Sequence, residues 1–279
     1  MSNYYCLVAG LPELSLEDSK LSYTVANFKT ELYPELSKKD KGLIDLFYLK
    51  FDNANLLKLL SDKESEIDAR GNYKAQELLD LIDAIKEDEP FDKKKFPSYF
   101  PIFIKDVSGA IDKDNVWREN YITSLYYAYA GKSKNKFVAS WFNFNLDVNN
   151  ILAAYTARRY KWEVSSAIVG DSPVCELLRT SSARDFGLTG ELECFEALVK
   201  ITETTDLVDK EKKIDMLRWN WMEEATFFNY FSVERLFVFL LQLEMTERWI
   251  SLDKETGKQM FRNIIDSLKN NVEIPEEFR

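Results

Sequence analysis

The chain has 279 residues, 46% of them hydrophobic and 30% charged, a composition typical of a folded globular protein with a substantial core. Only 9 glycines and 7 prolines occur, which argues against a many-turned β architecture and against a glycine-lined nucleotide site. The formal net charge of -10 argues against general nucleic-acid binding, and the absence of histidine excludes His-containing triads and histidine metal ligands.

The cysteines and the hydropathy bear on cellular location. Cys6, Cys175 and Cys194 follow neither metal-ligand nor redox spacing, so we expect free thiols in a reducing compartment. The sequence opens on no signal-peptide pattern, and its longest apolar run, residues 236–241, is too short to cross a bilayer. These features predict a cytoplasmic protein that meets a membrane only through a partner.

The first part of the chain predicts one extended segment and two helices. Residues 4–10 favour a short extended segment that ends in a turn. A helix is expected to start near residues 15–18 and to stop at Pro34. Ser37, with an aspartate three residues on, is an N-cap pattern for a helix that runs to about residue 60.

The middle of the chain predicts three further helices. Apolar spacing indicates a helix over residues 73–85, followed by a proline-containing break over residues 87–101. The next helix carries Trp117 and ends at Gly131, and a long helix without glycine or proline follows over residues 135–162. The rest of the chain predicts helices over residues 174–179, 191–202, 207–228, 233–252 and 253–270.

Three of these helices share a pattern around an acidic residue. The acids are nearly evenly spaced along the chain, and each has a phenylalanine five residues upstream and an apolar residue directly before it. Asparagine follows three residues after the first two acids, whereas glutamate takes that place in the third copy. The residues of this motif are Asp52 and Asn55, Asp147 and Asn150, and Glu244 and Glu247.

The recurrence predicts an all-α single domain of three related helical units, at about residues 1–95, 96–195 and 196–279. Helical spacing places the motif side chains inside an apolar stripe, where an unpaired polar group costs about 1–3 kcal/mol. The acids and amides must therefore find partners, either each other or backbone groups of a neighbouring unit. The alternative interpretation is an ordinary amphipathic helix that recurs three times by chance.

Other sequence patterns give only weak evidence for a metal, phosphate or ligand site. Asp80 and Asp83 could hold Mg²⁺ as paired helical carboxylates do, but no second acidic set accompanies them, and solvated helix acids are the simpler interpretation. Gly257-Lys258 lacks the earlier glycine of a phosphate loop. Aromatic clusters over residues 117–129 and 219–231 are more typical of a core or an interface than of a ligand pocket. The sequence predicts no catalytic residue, cofactor-binding residue or metal ligand.

The order of these features resembles the C subunit of V-type and A-type ATPases, known as the d subunit in eukaryotes, and in particular a short bacterial branch. The features that carry the resemblance are the opening YYCLVAGLP at residues 4–12, the acid-x-x-Asn-aliphatic helices at Asp52 and Asp147, and FSVERL at residues 231–236. The third copy departs from the family pattern, because Glu247 and Arg248 stand where asparagine and an aliphatic residue are expected. The chain is also shorter than typical members.

This resemblance implies an all-helical funnel of three related units and a role without catalysis. The protein would be a central-stalk adaptor that links the membrane proteolipid ring to the rotor shaft subunits, in an enzyme complex for ion or proton transport. The motif acids and asparagines would be structural, and the protein would lie peripheral to the membrane. Two alternatives remain open: a helical Mg²⁺-dependent enzyme that acts on a diphosphate through Asp80 and Asp83, and a free-standing helical scaffold.

Overall fold

The computed structural model describes residues 4–110 and 113–252, and all regular secondary structure within these ranges is helical. The expected all-α class is therefore confirmed for this part of the chain. The helix expected over residues 253–270 lies outside the described residues.

Twelve α-helices occur in the described part of the chain, and α2 continues into a π-helical turn (Phe28–Leu32) and a 3₁₀ turn (Tyr33–Glu35). The helices are α1 (Tyr5–Ala9), α2 (Val25–Asn27), α3 (Lys38–Ser61), α4 (Ala75–Lys86), α5 (Tyr99–Gly109), α6 (Asn115–Ala130), α7 (Lys136–Tyr160), α8 (Val164–Ala167), α9 (Pro173–Thr180), α10 (Phe195–Thr202), α11 (Leu207–Thr226) and α12 (Val233–Ser251).

The three motif helices are α3, α7 and α12, and the starts of α3 and α7 follow from local sequence, whereas Ser232 makes no side-chain cap at α12. Ser37 Oγ accepts a hydrogen bond from the backbone N–H of Asp40 (3.2 Å), which satisfies one free donor at the start of α3. Asn135 Oδ1 accepts from the N–H of Val138 (3.1 Å) in the same way at α7. Lys161, in the left-handed conformation (φ 58°), ends α7. The helices expected over residues 37–60, 135–162 and 233–252 are thus confirmed.

The prediction of an extended segment at residues 4–10 is wrong, because these residues form α1. The backbone N–H of Val8 donates to the carbonyl of Tyr4 (2.9 Å), as in a helix. Contacts with the loop before α12 hold the segment in place: the N–H of Tyr4 donates to the carbonyl of Phe231 (3.0 Å), and the rings of Tyr5 and Phe231 lie 4.4 Å apart. Tertiary packing thus decides the conformation of a segment too short to decide it alone.

Other boundaries also differ from the sequence prediction: α8 was not predicted, and α10 begins at Phe195 instead of residue 191. Residues 15–18 form a turn, and the helix begins only at α2, where Thr24 and Asn27 form a capping box. The break expected over residues 87–101 ends earlier, because α5 begins at Tyr99 and contains Pro101 in its first turn. Proline is tolerated there because the first backbone N–H groups of a helix have no helical partner.

The starts of α3, α7 and α12 lie together at one end of the molecule. Tyr4 joins two of them, because its hydroxyl donates to Asp40 at the start of α3 (2.6 Å) and its backbone binds Phe231 just before α12. The side-chain amide of Asn135 donates to Glu234 Oε1 (2.7 Å), which joins the start of α7 to that of α12. The three motif helices therefore run away from a common end.

The hydrophobic interior of the described residues divides into two clusters. The larger cluster takes buried side chains from α1 to α6, the first part of α7, the end of α11 and α12. The smaller cluster includes Val148, Phe186 and Ile214, and it lies between the second half of α7 and the helices α9, α10 and α11. Both α7 and α11 contribute to the two clusters, so these helices connect them.

Candidate functional site

A hollow of about 1020 Å³ lies between α3, α6, α7, α11 and α12. All three motif helices contribute to its wall: α3 and α12 do so mainly through their middle and later residues, and α7 through Trp141, Phe142 and Asn145 in its first half. The charged side chains of the wall are five cations and four anions, namely Lys50, Lys58, Arg70, Arg218 and Arg248 with Glu119, Asp215, Glu244 and Glu247. A chain with net charge -10 therefore places a slight excess of positive charge around this hollow.

Aromatic rings form much of the remaining wall. The ring centroids of Tyr126 and Phe142 lie 5.4 Å apart, and those of Phe142 and Phe237 lie 6.3 Å apart, so α6, α7 and α12 meet through edge contacts. The hydroxyl of Tyr126 donates to the backbone carbonyl of Leu46 in α3 (2.8 Å). These rings are held by packing, which gives the hollow a fixed shape.

Lys50 and Glu244 form a salt bridge that joins α3 to α12 at the hollow. The ammonium of Lys50 also lies 4.2 Å from the ring centroid of Phe47 and 5.1 Å from that of Phe51. Burial lowers the pKa of Lys50, and the negative charge of Glu244 acts in the opposite direction by favouring the ammonium. The acid of the third motif copy therefore binds a cation on the first motif helix.

Asp215 of α11 is the most buried carboxylate of the hollow, with 1% of its surface exposed. It accepts hydrogen bonds from Arg218 (3.3 Å), from Arg248 and from the indole N–H of Trp249 (2.8 Å). These bonds tie α11 to the end of α12. Asp215 was not among the residues predicted from the sequence; the signal for it was its place between Ile214 and an apolar neighbour in an otherwise charged helix.

In the first motif copy, Asp52 and Asn55 are fully buried and bind the connection that follows their own helix. Asp52 accepts from the backbone N–H of Asn72 (2.8 Å) and of Tyr73 (3.2 Å), and from the Asn72 amide (2.9 Å). Asn55 pairs with both backbone groups of Asp68, donating to its carbonyl (2.9 Å) and accepting from its N–H (2.7 Å). These bonds attach residues 62–74 to α3.

Gly71 lies directly against this pair. A Cβ atom at position 71 would lie 2.4 Å from Asp52 Oδ1 and 3.1 Å from Asn55 Nδ2, which only glycine avoids. Lys29 Nζ donates to the carbonyl of Gly71 (2.5 Å) from the other side. Burial raises the pKa of Asp52 to about 6, although the hydrogen bonds from Asn72 and Tyr73 favour the carboxylate.

In the second copy, Asn150 makes the same pair of bonds as Asn55. It donates to the carbonyl of Val169 (2.8 Å) and accepts from its N–H (2.9 Å), and its amide also lies 3.2 Å from Cys175 Sγ. Asp147 is only half-buried and accepts one longer bond, from the hydroxyl of Ser172 (3.4 Å). Burial raises the pKa of Asp147 to about 6.

The third copy behaves differently. Glu244 binds Lys50, and Glu247 Oε1 accepts from the backbone N–H of Val25 (2.7 Å), the first residue of α2. Both glutamates are half-buried. The acids of the first two copies thus bind the connection after their own helix, whereas those of the third bind the first part of the chain.

The candidate Mg²⁺ acids lie on α4, away from the hollow. Both oxygens of Asp83 accept from Lys63 Nζ (2.6 and 2.9 Å), and Asp80 accepts from the amide of Gln76 (2.7 Å). Within residues 4–110 and 113–252, no three Cys, Asp or Glu side chains come together as a metal site would require. The thiols of Cys6, Cys175 and Cys194 are free.

The two aromatic clusters of the sequence separate in the fold. Tyr126 of the first lines the hollow, while Trp117 stacks on Tyr121 (5.1 Å) elsewhere. The second cluster ends in an exposed loop that carries Phe227 and Phe228, with 72% and 93% of their surfaces exposed. Among the described helices, none combines the length and the apolar character needed to cross a bilayer.

Comparison with known proteins corrects the resemblance to the V-type and A-type ATPases. No curated protein and no solved structure matches the chain. A family model described as "Protein of unknown function (DUF2764)" matches residues 1–272, which is nearly the whole chain, and no component of an ATPase is matched. The short apolar, acidic and asparagine patterns were therefore not specific enough to identify the family. The chain belongs to the DUF2764 family.

Proposed function

We propose that this protein is a non-catalytic adaptor whose hollow receives a helical segment of a partner protein. The observation that carries the proposal is the hollow itself, lined by α3, α7 and α12 with aromatic rings and charged pairs. An α-helix with its side chains is about 10–12 Å wide and rises 5.4 Å per turn, so a volume near 1020 Å³ accommodates about two turns. Aromatic and charged groups together suit an amphipathic segment.

The proposal treats the motif helices as three related units around a funnel. Two features support this arrangement: the helices start together at one end, and all three contribute to the wall of the hollow. Asn55 and Asn150 also make the same two backbone bonds in the first two units. Hydrogen-bonded acids and amides would then keep each unit rigid around the incoming segment.

The partners expected from the sequence define a specific form of the adaptor proposal. In that form the protein joins the shaft subunits of a V-type ATPase to the proteolipid ring, stays peripheral to the membrane, and serves ion transport without catalysis. This form does not rest on a family match. A rigid hollow at one end and a distinct surface at the other would suit a component that joins two partners.

Binding to purified shaft subunits, measured by isothermal titration calorimetry, tests the specific form. Ala54 is exposed in the wall of the hollow, so Ala54→Trp should obstruct entry and weaken binding by about tenfold or more. Ser140→Trp is the matched control, because Ser140 is a residue of motif helix α7 that does not line the hollow.

The outcomes separate the general proposal from its specific form. If the shaft subunits fail to bind at concentrations of about 10 μM, the ATPase form is wrong. If they bind and Ala54→Trp has no more effect than Ser140→Trp, the hollow is not the binding site. A free-standing scaffold would associate with neither the shaft nor the ring.

A further inference from the structure

The end of the molecule where α3, α7 and α12 begin carries an exposed aromatic surface. It comprises Phe227, Phe228, Tyr230 and Phe231 from the loop before α12, with Tyr5 of α1, and we call it the aromatic end. Neighbouring rings touch each other, with centroids 5.1 Å apart for Phe227 and Phe228 and 4.4 Å apart for Tyr5 and Phe231. Isolated exposed hydrophobic residues are normal, but a contiguous aromatic surface indicates a binding site.

Lysines flank the aromatic end on one side. Lys132 and Lys134 are exposed on the connection before α7, and Lys136 is exposed at the first position of α7. None of the three forms a salt bridge with any described residue. The hydrogen bond from Asn135 to Glu234 (2.7 Å) holds this connection beside the start of α12. Their positive charges therefore lie close to the aromatic loop.

A second pair of lysines lies at the same end. Lys38 and Lys39 are exposed at the start of α3, which Tyr4 joins to the carbonyl of Phe231. The guanidinium of Arg235 lies 5.4 Å from the ring centroid of Tyr230.

Acidic groups at this end are mostly engaged in the fold. Asp40 binds Tyr4 and Ser37, Glu234 binds Asn135, and Glu223 binds Arg235 and Gln242. The exposed acids nearby in sequence are Glu13, Glu31, Glu35 and Glu224, against five exposed lysines. The lysines thus give this end a positive surface, although the chain as a whole has net charge -10.

We propose that the aromatic end docks directly onto an anionic lipid bilayer. Tyrosine favours the headgroup region, where an apolar ring and a polar edge are both accommodated, and phenylalanine supplies apolar surface to bury at its boundary with the acyl chains. Lysines near the surface are attracted by anionic lipids. Phe228 projects with almost its entire surface exposed, which suits insertion into a soft headgroup layer. The inference is independent of the hollow, and it differs from the expectation that the protein meets a membrane only through a partner.

Flotation of the full chain with lipid vesicles tests this inference. The protein should float with vesicles of phosphatidylcholine mixed with phosphatidylglycerol and not with phosphatidylcholine alone. Phe227→Ser combined with Phe228→Ser should weaken this partition by about tenfold or more. Tyr160→Ser combined with Trp162→Ser is the matched control, because these stacked rings are 60% and 64% exposed at the end of α7.

The lysines are tested separately. The triple variant Lys132→Gln, Lys134→Gln and Lys136→Gln should weaken partition to the anionic vesicles on the order of 100-fold, since each basic residue contributes about fivefold near an anionic surface. Lys93→Gln combined with Lys94→Gln serves as the charge control, because these two lysines are exposed after α4. Added salt should weaken binding of the wild type.

Three results would overturn the inference. The first is a failure to float with anionic vesicles, and the second is a loss of partition that is equal in the test and control variants. The third is a lipid-free dimer, detected by analytical ultracentrifugation, that Phe227→Ser with Phe228→Ser dissociates, because a second copy would then cover the aromatic end. All substitutions lie on the surface, so unchanged thermal melting should accompany each variant.

Discussion

Replacement of Gly71 by alanine should destabilise the protein through Asp52. The new Cβ would lie 2.4 Å from Asp52 Oδ1, so the carboxylate must move away from the backbone N–H groups of Asn72 and Tyr73. Buried groups left without partners cost about 1–3 kcal/mol each, and two N–H groups are affected. We therefore expect Gly71→Ala to lower the free energy of unfolding by about 2–4 kcal/mol.

Urea denaturation followed by circular dichroism measures this loss, provided that the slope of the transition is unchanged. Gly42→Ala is the matched control within α3, because no atom lies within 4 Å of its added Cβ and the position is exposed. Alanine is a better helix former than glycine, so this control should be stabilised by about 0.5–1 kcal/mol.

A double-mutant cycle tests the cause. Asp52→Ala alone should cost about 1–3 kcal/mol, and it removes the carboxylate that the new methyl group would meet. Adding Gly71→Ala to Asp52→Ala should then cost less than about 1 kcal/mol. If the two losses simply add, the contact between Gly71 and Asp52 is not the reason for the glycine, and the reasoning is wrong.

Four further predictions follow from the motif and the hollow. The pKa of Asp52 is about 6 in the fold and about 4 in unfolded chains, so the native state binds more protons than the unfolded state between these pH values. The stability of the fold therefore falls as the pH rises through 4–6. In urea titrations, the wild type should gain about 1 kcal/mol relative to Asp52→Asn when the pH is lowered from 7 to 5. Asn150→Ala leaves the N–H of Val169 unpaired and its carbonyl with only the Cys175 thiol as a donor, and it should cost about 2–3 kcal/mol. Asp147→Ala should cost only about 1 kcal/mol, because that carboxylate is half-buried with one long bond, and equal losses would contradict this difference. Asp215→Ala removes the buried acceptor shared by Arg218, Arg248 and the Trp249 indole N–H, and it should lower the unfolding free energy by about 3 kcal/mol in the same assay, although Arg218 keeps Asn149 and Arg248 keeps Glu211 as partners. A loss near zero would mean that this carboxylate does not join α11 to α12. Mg²⁺ with pyrophosphate should leave the melting temperature unchanged, and a rise that Asp80→Asn abolishes would favour the enzyme alternative instead.

The long helices were predictable because their signals are local. Ser37 caps α3 through the N–H of Asp40, three residues away, and Asn135 caps α7 in the same way. Such signals are visible in the sequence. The conformation of residues 4–10 depends instead on the carbonyl and ring of Phe231, more than two hundred positions along the chain, and no short pattern predicts that contact.

The motif side chains show the same division. Helical spacing indicates that Asp52 and Asn55 lie within an apolar stripe, but their partners depend on the path of residues 62–74, which has no regular pattern. Asp215 was missed because it lies in a helix rich in charged residues, where a buried acid looks like a solvated one. The incorrect family resemblance has a related cause, since acid and asparagine spacings recur in many amphipathic helices.

The two long-range backbone bonds of the first segments have a consequence during synthesis. Tyr4 binds the carbonyl of Phe231, and Val25 donates to Glu247, a partner 222 positions later. At about 5–20 residues per second, a ribosome needs roughly 10–40 s to cover that interval. Nascent α1 and α2 therefore stay without their final anchors until α12 emerges. The fold thus depends on late, non-local contacts, although all regular secondary structure of the described residues is helical.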